Sequence, residues 1–201
     1  ELVLTGLLLS SRDVPASLDW VKTLEANDDV EKNVEKGKKQ FVGPELTGKT
    51  LGVIGLGAVG VLIANAASAL GMNVLGYDPY ISVQSAWGLS RKVQRASSYD
   101  EVYVNSDYLT LHIPLLENTK HLINDEVIKK FKSGMRLLNF ARAELVDDEA
   151  IEKALESGKV YRYVTDFPNA KTVKMKNVIA IPHLGASTPE SEVNCAIMAV
   201  N

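Results

Sequence analysis

The stretch Leu51-Gly52-Val53-Ile54-Gly55-Leu56-Gly57-Ala58-Val59-Gly60 decides the fold. Leu51–Ile54 is a short, nearly unbroken apolar run, the pattern of a strand buried on both faces. Val59–Leu70 then reads as a helix, and the glycines of a GxGxxG motif, Gly55, Gly57 and Gly60, lie at the junction. Each has a separate task. Gly55 permits a tight turn, Gly57 lets the backbone approach a pyrophosphate, and Gly60 lets helix and strand pack closely. Ala58 and Val59 complete the turn, and the helix start offers free N–H groups and a partial positive charge to phosphates. Glycine-rich turns are common, so the motif takes its meaning from its surroundings. A second apolar run, Asn73–Tyr77, ends in Asp78, where an acid accepts hydrogen bonds from an adenosine ribose. A carboxylate there repels the 2′-phosphate of NADP, and the following Pro79 and Tyr80 supply no arginine to receive it. The pattern therefore predicts a dinucleotide site that selects NAD. The plainer role for Asp78 is a loop cap after a strand.

Further candidate strands follow at Tyr108–Leu111, Arg136–Asn139, Tyr161–Thr165 and Val178–Ile181. Helical segments separate or follow them at Asn124–Phe131, Asp148–Ser157 and Pro189–Val200. Alternation of this kind predicts an α/β fold, a Rossmann-type doubly wound parallel sheet with helices on both faces. Ligands of such sheets sit at the carboxyl ends of the strands. Residues 1–45 read differently. Leu2–Leu9 is apolar nearly all round, which for a helix means burial on several sides. Ser11-Arg12-Asp13-Val14-Pro15 breaks it, and Trp20, Val21 and Leu24 belong to a second helical stretch. Asp28–Lys39 is a mixed-charge run whose plainer reading is a solvated helix face or loop. The expected division is therefore residues 1–45 as helices and linker, and 46–201 as the dinucleotide-binding domain.

The 201 residues carry 22 Lys+Arg and 25 Asp+Glu, a net charge of −3, with 46% hydrophobic and 23% charged residues. This composition is that of a globular protein and excludes disordered, collagen-like and disulfide-rich classes. A slightly acidic chain lacks the electrostatic footprint of a nucleic-acid binder. Cys195, the single cysteine, cannot form an internal disulfide and suits a reducing compartment, so a cytoplasmic location is expected. The apolar stretch at the start is too short to span a bilayer and lacks the flanks of a signal peptide, so no membrane association is expected. The chain opens on Glu1 within what reads as a helix, as a piece of a longer protein would.

Three histidines and one arginine are the candidates for chemistry. His121 lies in the polar stretch Asn118-Thr119-Lys120-His121 and reads as a surface residue. His112 follows the strand Tyr108–Leu111, where a hydrogen-bonded structural role is as plausible as a chemical one. His183 follows Ile181-Pro182 and precedes Gly185-Ala186-Ser187-Thr188, a segment suited to close backbone approach and then a helix N-cap before Pro189. It could be an active-site base or a satisfied loop histidine. Arg142, at the end of Leu137–Ala141, could hold a carboxylate bidentately or form a surface salt bridge to Asp147 or Asp148. No cysteine–histidine cluster has metal-ligand spacing, so no metal is expected, and there is no serine nucleophile elbow.

Together these stretches resemble the D-isomer-specific 2-hydroxyacid dehydrogenases. The matching segments are Glu45–Thr50 running into the glycine motif, Gly76-Tyr77-Asp78-Pro79, Leu111–Leu115, Asn139–Arg142 with Leu145-Val146-Asp147, and Ile181–Glu190. The last is most like members acting on 3-phosphoglycerate. The resemblance implies hydride transfer between NAD and a small 2-hydroxy acid, with His183 as the base on the substrate hydroxyl. It implies that Arg142 grips the substrate carboxylate and that Asp166 touches the nicotinamide carboxamide. Ile113, Pro114, Phe140 and Ala141, with His112, would line the cofactor crevice, and Gly185 and Ala186 would approach it by backbone. It also implies a substrate domain that this chain does not match and a homodimer or higher homo-oligomer covering the Leu2–Leu9 helix. Two departures stand out. Ala170 occupies about the position where the family has a glutamate that pairs with the histidine, and Arg142-Ala143 replaces an Arg-Gly pair. The alternatives are another 2-hydroxyacid dehydrogenase, a non-catalytic NAD-sensing module on the same fold, or a hydrolase with resident NAD.

Overall fold

The computed structural model describes residues 1–24, 29–191, 193 and 197. Seven strands form one sheet: β1 (Thr50–Ile54), β2 (Asn73–Tyr77), β3 (Val93–Arg95), β4 (Tyr108–Leu111), β5 (Met135–Asn139), β6 (Val160–Thr165) and β7 (Val178–Ala180). Their order is β3-β2-β1-β4-β5-β6-β7, and every neighbouring pair is parallel. The chain winds outward from β1 to β3, then returns to the other side of β1 with β4. The point of reversal lies between β1 and β4, where such sheets open a crevice at their carboxyl edge.

The helices are α1 (Leu2–Ser11), α2 (Val14–Lys22), α3 (Val30–Gly37), α4 (Ala58–Ala69), α5 (Val83–Gly88), α6 (Tyr99–Asn105), α7 (Asp125–Lys130) and α8 (Asp148–Glu156). Several start on side-chain caps: Ser82, Ser98, Asn124 and Asp147 each accept a backbone N–H from the first turn. Side chains alternate across each strand, so β1 sends Leu51 and Val53 to one face and Ile54 to the other. Leu51 and Val53 pack with Val3 and Leu7 of α1 and with Val61, Ile63, Ala64 and Ala67 of α4. Ile54 packs with Val102 and Tyr103 of α6, Ile128 of α7, and Ile151 and Leu155 of α8. Both faces of the sheet are thus covered, as the apolar strand pattern requires.

The six expected strands form within a residue of their expected bounds. β3 escapes the apolar pattern because its three residues, Val93-Gln94-Arg95, are half or fully exposed and are held by pairing to β2. The mixed-charge run forms α3 and a 3-10 turn, Lys38–Phe41, with no buried residue. Its first residue, Asp28, lies outside the described residues. The Pro189–Val200 helix is helical at Pro189–Ser191, Val193 and Ile197, and the rest of it, Cys195 included, lies outside the described residues.

α1 lies on the sheet with Val3, Gly6, Leu7, Ser10 and Ser11 buried. A side chain on Gly6 would come within 2.6 Å of the Phe140 ring, so the glycine brings α1 down onto β5 and β6. Polar ties fix the end of this helix. The Arg136 guanidinium donates from Nε to the Ser10 carbonyl at 2.9 Å. Buried Arg162 on β6 clasps both oxygens of Asp13 at 3.0 and 3.2 Å. Among the described residues no helix is long and apolar enough to cross a membrane.

Candidate functional site

The carboxyl edge of the sheet gathers the residues singled out in the sequence. After β1 the chain turns through Gly55, whose φ of +91° is the left-handed region that favours glycine. The Gly55 N–H donates to the Tyr77 carbonyl at 2.9 Å. A Cβ on Gly55 would lie 2.4 Å from the His112 carbonyl oxygen, and one on Gly60 would lie 2.0 Å from the Gly55 carbonyl oxygen. These two glycines are required by packing within the chain. Gly57 differs: a Cβ there would meet nothing within 4 Å. Gly57, Ala58 and Val59 are all exposed at the start of α4. The space is therefore open to a ligand beside the free N–H groups of the helix end.

Asp78 does what a loop cap does. Its Oδ2 accepts from the Leu56 N–H and its Oδ1 from the Tyr80 N–H, both at 2.8 Å. A carboxylate has about four acceptor positions, so the cap leaves capacity for ribose hydroxyls. The cap is compatible with ribose binding, and it holds the glycine turn in shape.

His112 begins the loop after β4. Its N–H donates to the Ile54 carbonyl at 2.7 Å, and its Nε2 lies 3.0 Å from the hydroxyl of fully buried Thr110. Burial pushes the imidazole down to about 4, so the ring is neutral at neutral pH. This supports the structural role over proton transfer. His121 is half exposed at the surface, with Nδ1 3.6 Å from Asp147 Oδ2.

Asn139, which the sequence did not single out, ends β5 fully buried. Its Oδ1 accepts the Ala141 N–H at 3.2 Å, and its Nδ2 donates to the Arg142 carbonyl at 2.8 Å. The amide therefore shapes the Phe140–Arg142 loop. Arg142 is exposed, one guanidinium nitrogen donating to the Ala141 carbonyl at 2.6 Å. Among the described residues Arg142 forms no salt bridge to Asp147, which faces His121, or to Asp148, which accepts from Asn169. Ala143 opens a 3-10 turn without a positive φ, so alanine in place of the family's glycine carries no backbone strain.

Asp166 and His183 meet at the ends of β6 and β7. Asp166 Oδ2 lies 3.2 Å from His183 Nδ1, the carboxylate almost wholly buried and the imidazole half exposed. Burial pushes the Asp166 carboxyl above the usual carboxylate range, and the facing imidazole draws it back. The Phe167 ring lies 5.0 Å from the imidazole. Among the described residues Asp166 Oδ1 is buried without a hydrogen-bond partner. Gly185 and Ala186 form an exposed turn, after which Thr188 Oγ1 accepts the Ser191 N–H at 3.1 Å, the expected cap.

The residues fit a dinucleotide: an open backbone cradle at Gly57, an acid at Asp78, and an unsatisfied acceptor on Asp166 that an amide N–H can complete. No sequence motif announces the pairing of Asp166 with His183. Its one signal in the sequence was that each follows an apolar run, as residues at one sheet edge do.

The family model for the NAD-binding domain of D-isomer-specific 2-hydroxyacid dehydrogenases matches residues 7–185. The chain is 36% identical over 198 residues to a D-3-phosphoglycerate dehydrogenase of Methanocaldococcus jannaschii, covering 96% of this chain and 36% of that protein. It is 41% identical over 172 residues to the D-3-phosphoglycerate dehydrogenase of Bacillus subtilis, covering 82% and 32% respectively. Among solved structures, D-lactate dehydrogenase from Aquifex aeolicus complexed with NAD and lactic acid superposes with a TM-score of 0.80 at 28% identity. That match covers 98% of this chain and 62% of the other. The chain thus spans about a third of the length of these curated relatives. It belongs to the D-isomer-specific 2-hydroxyacid dehydrogenase family, of which it carries the NAD-binding domain.

Proposed function

We propose that this chain is the cofactor half of an NAD-dependent D-3-phosphoglycerate dehydrogenase that removes a hydride from C2 of 3-phosphoglycerate. The observation that carries the proposal is the His183–Asp166 pair at the carboxyl edge that also holds the glycine cradle and Asp78. Identity to phosphoglycerate dehydrogenases over most of the chain supports the substrate. NAD, when bound, supplies the hydride acceptor. The chain's own groups do the rest. Asp78 and the N–H groups around Gly57 hold the cofactor, with Ile113, Pro114, Phe140, Ala141, Gly185 and Ala186 along the crevice. Arg142 grips the substrate carboxylate in a fork of N–H donors. His183 accepts the hydroxyl proton and returns it in the reverse direction.

Residues 1–45 serve in this reading as inter-domain and dimerisation helices and 46–201 as the cofactor domain, a second domain supplying the grip on the substrate phosphate. The subunits form a homodimer through the exposed apolar side chains of the first helices. The single cysteine supports a cytoplasmic setting. A non-catalytic NAD-sensing module has Ala170, in place of an acid, in its favour.

Calorimetric titration tests the cofactor: NADH binds more tightly than NADPH, and no heat at millimolar NADH defeats the proposal. An assay of a longer protein carrying this domain with 3-phosphoglycerate against lactate, glycerate and glyoxylate tests the substrate. Turnover of none of them leaves the sensing module as the better account.

A further inference from the structure

Register, not nearness in sequence, brings Asp166 and His183 together. β6 and β7 pair with Thr165 opposite Ala180, and the Ile181 N–H donates to the Thr165 carbonyl at 2.9 Å. Asp166 leaves β6 just where the chain beyond β7 returns with Pro182 and His183. The resulting contact of 3.2 Å joins Asp166 Oδ2 to His183 Nδ1. The burial of the two groups is unequal, 4% of the Asp166 side chain being exposed against 57% of His183. One nitrogen of the ring thus faces a buried carboxylate while much of the ring stays open to a ligand. The Phe167 ring, tilted 48° to the imidazole, packs beside it.

Among the described residues no other carboxylate is placed to do this. Phe167 to Pro182 contains Lys171, Lys174 and Lys176 and not one acid. Ala170 is exposed and carries no polar side chain. Its neighbour Asn169 is spent elsewhere: Nδ2 donates to Asp148 at 2.9 Å, and Oδ1 accepts the N–H groups of Lys171 and Thr172, both at 2.9 Å. Among the described residues Asp166 is the one carboxylate paired with His183.

We propose that Asp166 is the positioning residue of His183, accepting its Nδ1–H and leaving the Nε2 lone pair to take the substrate proton. This rests on the base role given to His183 above. It assigns to Asp166 the task that the family resemblance leads one to expect of a glutamate near Ala170. A buried carboxylate in this place does two things. It selects one of two tautomers, because the nitrogen facing an acceptor must carry the proton. It also stabilises the imidazolium formed when Nε2 is protonated. The departure at Ala170 then does not leave His183 without its acid.

Tautomers are read directly from long-range imidazole spectra of the 15N-labelled 201-residue chain at a pH where the rings are neutral. His183→Gln identifies which signals belong to His183. The unaltered chain is expected to show His183 protonated on Nδ1. Asp166→Ala is expected to move the proton population toward Nε2, exchanging the resonance ranges of the two nitrogens. Should Asp166→Ala fail to fold, Asp166→Leu, which fills the buried space without a charge, is read the same way. An Nε2–H tautomer in the unaltered chain overturns the proposal, as does an unchanged Nδ1–H tautomer in either folded variant. NADH titration of the same unaltered sample separates the two inferences: absent binding with an Asp166-dependent tautomer defeats the cofactor reading and leaves the pairing standing.

Discussion

Gly57 and Gly60 belong to one motif, yet a methyl group would meet open space at the first and a carbonyl oxygen at 2.0 Å at the second. Their substitutions should therefore fail in different ways. Gly60→Ala must push α4 from β1, costing roughly 1–3 kcal/mol as overpacking does and lowering the melting temperature by several degrees. Gly57→Val should leave the melting temperature within a degree or two and weaken NADH binding tenfold or more, because its side chain fills the cradle. Thermal scans beside calorimetry decide this, and equal melting losses in both variants would contradict it. His112 makes a second prediction. Its folded-state value of about 4 lies below the 6.5 of an unfolded chain, so the unfolded state binds the proton between those values. Stability contributed by neutral His112 is then full above about 6.5 and is lost as pH falls toward 4, by at most about 3 kcal/mol. Urea midpoints at pH 7, 5.5 and 4 should show this slope, and His112→Asn should flatten it.

Between elements, the Asp13–Arg162 clasp joins the break between α1 and α2 to the middle of β6. The Arg162 hydrogen bond holds the Asp13 carboxyl below the usual range against its own burial. The stabilisation is therefore present above pH 3.8 and is lost as pH falls through the lowered folded value. Asp13→Ala leaves a buried guanidinium without a counter-charge and should cost about 2–4 kcal/mol. Asp13→Leu combined with Arg162→Met removes both charges and should cost less than the single change. Denaturant midpoints of the two variants test this, and a costlier double variant would show that the clasp is not chiefly electrostatic. No sequence pattern announced the clasp, because Asp13 and Arg162 are far apart in the chain and each alone reads as a surface charge. β3 was hidden for a related reason, its strand state coming from an edge pairing rather than from apolar residues.

At the scale of the whole molecule, Leu8, Val14, Leu18, Val21 and Val42 leave apolar surface exposed around the first helices. Under the homodimer proposed above, sedimentation at micromolar concentration should show twice the chain mass. Leu18→Glu should shift it toward the monomer without changing the melting of the sheet; a monomeric unaltered chain would defeat the homodimer. The sheet itself was legible in advance. Parallel strands buried on both faces must be apolar throughout, their turns need glycine, and their carboxyl ends must converge. The order of Gly55, Asp78, Arg142 and His183 along the chain therefore already implied one edge and one dinucleotide. Which side chains touch at that edge depended on strand register and burial, which no local pattern carries. Only the folded chain showed that Asn139 shapes the Arg142 loop, that His112 is a neutral partner of Thr110, and that Asp166 stands on His183. Residue types and their spacing set the architecture through local backbone preference and hydrophobic period. Contacts between distant strand ends were decided by packing, because a hydrogen bond depends on tenths of an ångström that only the assembled sheet provides.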